Sequence, residues 1–263
     1  MYFVFNEKNF TAPKLEELHS ELEDNGRRIT VIVDPHIKVS SSYFVYSEGM
    51  QMQRQSSDAS VHNIFVRANA KSSEPFEGKC WPGVSTWIDF LNENAQEFWS
   101  DLFQPDRFVG SNYLYSAWND MNEPSVFESP TKTLPLGTVH VKADGRQFEH
   151  RDIHNAYGGL QQKASFKGLL KRDDFDRRPF VLTRSFFIGS QKYGAYWTGD
   201  NLAEIDELKG ALEMILQLGN AGHPFGGADV PGFSGKPTED VWVMFYQLGM
   251  YFPFFRAHSH IDF

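Results

Sequence analysis

The chain has 263 residues, 41% of them apolar, with 25 basic and 34 acidic side chains for a formal net charge of −9. That suits one large soluble α/β domain rather than a disordered segment. The acidic balance argues against nucleic acid or an anionic membrane surface as main partner; no apolar run is long enough to cross a bilayer, and the single cysteine, Cys80, excludes an internal disulfide.

In chain order, "TAPKLEELHSELEDNG" predicts a helix from Thr11 to a stop at Gly26, with Pro13 in its first turn and Leu15, Leu18 and Leu22 on one face. "RITVIVDP" follows as an apolar, β-branched run closed by Asp34-Pro35, which predicts a strand buried on both faces. Lys38 to Lys79 is polar and Ser-rich without clear period, and predicts an elaborated loop. Helical spacing resumes over Ser85–Phe103, and "NYLYSAWND" reads as the next strand. A second polar excursion runs from about Glu128 to Asp152, then a helix is predicted from Asn155 to Lys171 and a strand at "RPFVLTRS". "YGAYWTGDN" is a short strand ending in polar residues, "IDELKGALEMILQLGNAG" a helix with a glycine stop, and "HPFGGADVPGF" a glycine-rich strand and loop. "TEDVWVMFYQLGMY" predicts the last helix and "FPFFRAHSH" the last strand.

Strand and helix alternate about six times, which implies a parallel sheet with helical crossovers. The strands end in Asp34, Asp120, Arg184, Asp200, Asp229, and Arg256 with His258. In a closed β/α barrel such ends converge on one mouth, so the expected fold is a (β/α)8 TIM barrel. Six strands are not eight. The expectation is therefore an incomplete barrel spanning residues 1–263, with about strands three to eight present and the first two β/α units upstream.

Asp120 in "WNDMNEPS" and Asp200 in "WTGDN" stand out, each shortly after a tryptophan. Cleaving a glycosidic bond needs two carboxylates flanking an oxocarbenium-like carbon, about 5–5.5 Å apart when configuration is retained. Trp118 and Trp197 would each give a sugar's C–H face a flat wall, although a single Asp beside a single Trp more often marks a capped strand end. Two such units at equivalent places favour catalysis. Glu123 is a further acid in the catalytic motif, expected to hydrogen-bond its neighbours, and Met121 is expected to pack under a sugar ring.

"WNDMNEPSVF" and "WTGDN" resemble the signatures of glycoside hydrolase family 31, and further blocks match in order along nearly the whole chain. The resemblance implies a retaining α-glucosidase that acts by double displacement without a cofactor or metal, with Asp120 as nucleophile and Asp200 as acid/base. In those roles Arg184 is expected to keep Asp120 ionised, while partial burial and the Asp120 charge are expected to hold a proton on Asp200. The resemblance also implies sugar contacts from Ile37 in "VIVDPHIK", Trp81 in "WPG", Arg184 in "TRS", Phe225 in "FGGAD" and His258 in "FRAHSH". "EHRDIHNAYG" and "FFRAHSHID" are most similar to the branch that trims glucose from N-linked glycans in the endoplasmic reticulum lumen beside a lectin-like regulatory β subunit. The family also carries flanking β domains and a sugar-binding aspartate on its second strand, none of which this stretch matches. The isolated stretch is expected to be inactive.

His258, His260 and Asp262 are metal-ligand types, but no third and fourth ligand cluster accompanies them, so sugar hydrogen bonding is the better reading. The glycines of "GNAGHPFGGAD" follow no phosphate-loop pattern. A non-catalytic carbohydrate-binding fragment and a sibling activity such as an α-xylosidase remain as alternatives.

Overall fold

The computed structural model describes residues 1–55 and 63–262. Helix α1 (Ala12–Asp24) leads into strand β1 (Ile29–Ile32), followed by β2 (His36–Lys38), α2 (Phe44–Gln55), β3 (Gly78–Cys80), β4 (Gly83–Trp87) and α3 (Glu93–Asp101). Then come β5 (Tyr115–Asn119), β6 (Val139–Val141), β7 (Gln147–Glu149), α4 (His150–Arg172), β8 (Val181–Thr183) and β9 (Ala195–Trp197). The chain continues through α5 (Ile205–Asn220), β10 (Gly226–Gly227), β11 (Asp229–Pro231), α6 (Glu239–Gly249) and β12 (Arg256–His258).

One sheet organises the molecule, with strand order β1-β5-β8-β9-β10 and every neighbouring pair parallel. One residue beyond β10 the same strand resumes as β11 and pairs in parallel with β12. Helix α4 crosses from β5 to β8, α5 from β9 to β10, and α6 from β11 to β12. All strand ends that carry functional side chains therefore face one way. The sheet curves but does not close, because β1 and β12 are not hydrogen-bonded to each other.

That opening corrects one expectation. β1 is not buried on both faces: its residues alternate between half-buried and exposed, and Ile32 is 45% exposed. Val31 packs on the main core, while Thr30 and Ile32 face the uncovered side. By contrast, β5 is covered on both faces: four of its five residues are buried.

The excursions are also more ordered than their composition suggested. Between Lys38 and Lys79 lies α2, and β2, β4 and β3 form an antiparallel sheet of their own; residues 56–62 lie outside the described residues. The helix predicted over Ser85–Phe103 is strand β4 first and helix α3 only from Glu93. Asn92 caps α3 by accepting from the Asn94 and Ala95 amides. The second excursion contains the β6–β7 hairpin, turned at Gly145 (φ 86°).

The main core lies between the sheet and α3 and α4 and is largely aromatic. The fully buried Trp99 packs edge-to-face against Phe3 and Phe90, with centroids 5.2 Å away in both cases, and its indole donates to Ser165 at 2.9 Å. Gly168 lets α4 approach α3: a Cβ there would sit 2.6 Å from the Ser100 carbonyl oxygen. Beneath this layer runs a buried polar line in which His140 Nδ1 is 2.7 Å from Asp89, His140 Nε2 is 3.0 Å from His150, and His150 Nε2 is 2.9 Å from His154.

Candidate active site

β5 ends at Asn119, whose side chain donates to the Val33 carbonyl at 3.0 Å and so ties this strand end to the end of β1. Asp120 follows at the C-terminal edge of the sheet. Met121 then adopts a left-handed backbone (φ 55°), a conformation that costs a non-glycine residue about 1–3 kcal/mol. This reversal lets the Met121 amide donate to Asp120 Oδ1 at 2.8 Å and the Ser125 amide donate back to Met121 at 2.9 Å. Asn122 pins the loop to the end of β8: it donates to Thr183 Oγ1 at 2.8 Å and accepts from the Ser185 amide at 2.9 Å.

Arg184, the first residue past β8, sits at the centre. Its Nη1 lies 2.9 Å from Asp120 Oδ1 and 3.8 Å from Asp200 Oδ2. Those two carboxylate oxygens are therefore no further apart than the two distances added, about 6.7 Å. The other nitrogens grip Glu123, Nε donating to Oε1 at 2.7 Å and Nη2 to Oε2 at 3.0 Å, while Nη2 also lies 3.0 Å from the Met121 sulfur. Both Glu123 oxygens are thus engaged by Arg184.

The electrostatics follow from this crowding. Burial pushes the Asp120 carboxyl above the ordinary carboxylate range; the Arg184 charge and the Met121 amide pull it back, and the Glu123 and Asp200 charges push it up. Burial works against charge on Arg184, but Glu123, Asp120 and Asp200 more than offset it, so the guanidinium holds its proton more firmly than in water. Asp200 follows Gly199 (φ 86°) and projects to the rim with 51% of its side chain in water. The burial expected at Asp200 falls on Asp120 instead.

Below the acids is an aromatic and cationic wall. The Trp118 and Trp197 rings meet edge-to-face at 5.3 Å, and His258 lies edge-on to Trp118 at 5.5 Å. The Arg256 guanidinium carbon lies 4.4 Å from the Trp118 ring centre and 5.0 Å from that of Trp197. Burial lifts the Asp229 carboxyl to about 6 against the pull of Arg256, and holds the His258 imidazole down at about 4.

Three residues read from the sequence do not join this cluster. Phe225 precedes β10, so it lies at the opposite end of the strands, near Phe180 and Phe254 (centroids 6.0 and 6.4 Å). Ile37 is completely buried among the main-core residues. Trp81 stands out from the β3–β4 turn, 67% exposed, with its ring edge-on to Phe127 at 4.8 Å.

Phe233, not singled out in the sequence, joins it, and so does Asp34, which the sequence marked only as a strand end. Phe233 follows β11 at the functional end and stacks on His258 at 5.5 Å. Chain direction could have found it, because the residue after a strand, not the one before it, reaches the mouth. Asp34, at the end of β1, is 2% exposed; it accepts from the Tyr2 hydroxyl at 2.5 Å, and that hydroxyl is 2.8 Å from His36 Nε2. Burial pushes Asp34 up to about 8 despite the Tyr2 hydrogen bond, and the Asp120 charge adds to the rise. Among the described residues no group of His, Cys, Asp and Glu has the geometry of a metal site.

A parallel β/α sheet with acidic side chains gathered at its C-terminal edge is the layout of a β/α-barrel domain, and the comparisons place it in a family. The chain belongs to glycoside hydrolase family 31: residues 1–263 match the model described as the glycosyl hydrolases family 31 TIM-barrel domain. It is 45% identical to neutral alpha-glucosidase C of Mus musculus and 43% identical to a probable glucan 1,3-alpha-glucosidase of Oryza sativa subsp. japonica, each over 99% of the chain. Its fold is similar to the crystal structure of the ER glucosidase II heterodimeric complex of catalytic subunit and regulatory-subunit binding domain (TM-score 0.88, 44% identity, covering 99% of this chain and 27% of that one). The chain spans about a quarter of the length of these curated relatives.

Proposed function

We propose that the protein carrying this domain is a retaining α-glucosidase that removes terminal α-linked glucose. The observation that carries this is the single Arg184 nitrogen within reach of both Asp120 and Asp200. It brings two acids from strand ends 80 residues apart in sequence to one sugar-sized gap, and the separation it permits includes the range of about 5–5.5 Å used for retention.

In this reading an Asp120 oxygen attacks the anomeric carbon as the glycosidic C–O bond breaks, and Asp200 gives its proton to the departing oxygen. A covalent glucosyl ester on Asp120 results. Asp200, now a carboxylate, takes a proton from water, whose oxygen attacks the anomeric carbon and frees Asp120. Two inversions return the α configuration. Arg184 holds Asp120 anionic and aimed, Glu123 fixes Arg184, and the exposure of Asp200 gives it access to leaving group and water alike. Trp118, Trp197, His258 and Met121 are assigned to the sugar, and Trp81 to a lid over it.

The strands would be the third to eighth of a family barrel. The names of the relatives support α-1,3-linked glucose as substrate; the heterodimer supports the endoplasmic reticulum and a regulatory subunit as context, while glucosylated N-glycans rest on the sequence resemblance alone. In the full-length protein, Asp120→Ala and Asp200→Ala are each expected to lower turnover of an aryl α-glucoside by about 10³-fold or more. NMR of the first product should show α-glucose. Early β-glucose, or a mutant near wild-type rate, would overturn the assignment.

A further inference from the structure

Arg256 has an unusual place for a strand-end cation. It points neither to solvent nor at the acid pair, and its side chain is 15% exposed. Its guanidinium lies against two indoles at once, 4.4 Å from the Trp118 ring centre and 5.0 Å from that of Trp197. Asp229, directly across the β11–β12 pairing, anchors it: Asp229 Oδ1 accepts from Arg256 Nε at 2.8 Å and lies 2.7 Å from Nη2. The Asp229 side chain has no exposed surface, so the pair costs desolvation that only a fixed geometry recovers.

These contacts lead to the reacting groups by two routes. Trp118 lies near the end of β5, two residues before Asp120, which follows the strand. Trp197 ends β9, three residues before Asp200. Asp229 reaches Asp200 a second way, because its carbonyl accepts from the side chain of the adjacent Asn201 at 3.2 Å. The Asn201 carbonyl in turn accepts from the Phe233 amide at 2.8 Å.

We propose that Arg256 is a positioning residue: held by Asp229 and packed against both Trp118 and Trp197, it fixes the spacing of the two strand ends that present Asp120 and Asp200. This rests on reading those aspartates as the acid pair. A cation braced against both touching indoles holds β5 and β9 in register at their ends, and a misplacement of about 1 Å in a catalytic pair costs about 100-fold in rate. Arg256 acts through the tryptophans and Asp229, so its loss should alter turnover more than substrate binding.

The test uses Arg256→Met, which keeps the stem and loses the cation, and Arg256→Lys, which keeps a cation but loses the two-nitrogen grip on Asp229, both in the full-length protein. On an aryl α-glucoside, Arg256→Met is expected to lose about 100-fold in kcat with KM within about threefold, and Arg256→Lys to recover part of that loss. Thermal melting identifies the folded variants, and the lysine variant carries the test if the methionine variant does not fold. Crystal structures of the variants give a readout without activity: the Trp118–Trp197 edge contact should open and Arg184 should no longer reach both acids. Inactivity of the wild-type protein would sink the glucosidase reading but leave this structural readout intact. Unchanged indole and Arg184 contacts, or a raised KM with kcat preserved, would overturn the role given to Arg256.

Discussion

Replacing Arg184 with glutamine is the sharpest perturbation of the proposed site. The substitution keeps a planar polar group but removes the cation from Asp120, Glu123 and Asp200 together. Arg184 Nη1 lies 2.9 Å from Asp120, and the two side chains are 19% and 18% exposed, so solvent screens the pair little. An opposite charge this close lowers a carboxyl pKa by about 1–3 units, each unit being worth about 1.4 kcal/mol. Burial and the two neighbouring carboxylates already push Asp120 upward, so losing the opposing cation raises it further. A nucleophile must be ionised. The acidic limb of the kcat/KM profile is therefore expected to move to higher pH by about 1–3 units in Arg184→Gln, with the rate above that limb partly retained. The assay is hydrolysis of an aryl α-glucoside by the full-length protein across the pH range, with melting followed in the same buffers. An acidic limb that stays in place while overall activity falls would show that Arg184 serves geometry alone and would refute the charge argument.

Asp34 is pushed up to about 8 in the folded protein, from an ordinary value near 3.8. Its contribution to stability is full below the unfolded value and is lost as pH rises through about 8. Asp34→Asn, which stays neutral, should therefore lose less melting temperature than the parent between about pH 5 and 8; parallel curves would contradict the assignment. Gly168→Ala should destabilise by about 1–3 kcal/mol in urea unfolding, since the new methyl meets the Ser100 carbonyl oxygen at 2.6 Å; an unchanged midpoint would show that the α3–α4 contact can relax.

Parts of this architecture could be read along the chain because local chemistry decided them. α5 and α6 carry helix-period apolar residues with acids in their first turns, and both form where expected. The strand ends bearing Asp120 and Asp200 could be read because a short apolar run stops abruptly at polar residues. β4 was hidden because Trp87, Ile88 and Phe90 run into the spaced apolar residues Ala95, Phe98 and Trp99 of α3; the visible boundary was Asn92, whose capping role fixes the start of α3. The β6–β7 hairpin had a signal, Asp144-Gly145, that the polar composition around it obscured. The role of Asp34 could not be read, because its partner Tyr2 comes 32 residues earlier and only the folded chain joins them. Nor could the inversion of burial between Asp120 and Asp200, which depends on a glycine turning one acid toward water.

The gap between β1 and β12 has a practical side. Two parallel strands offer unsatisfied peptide groups beside greasy side chains such as Ile32 and Phe255. Produced by itself, this stretch is expected to stick to copies of itself and collect in inclusion bodies. Biochemists planning expression trials should treat poor solubility as a property of these two unpaired strands, not as a sign of a damaged site.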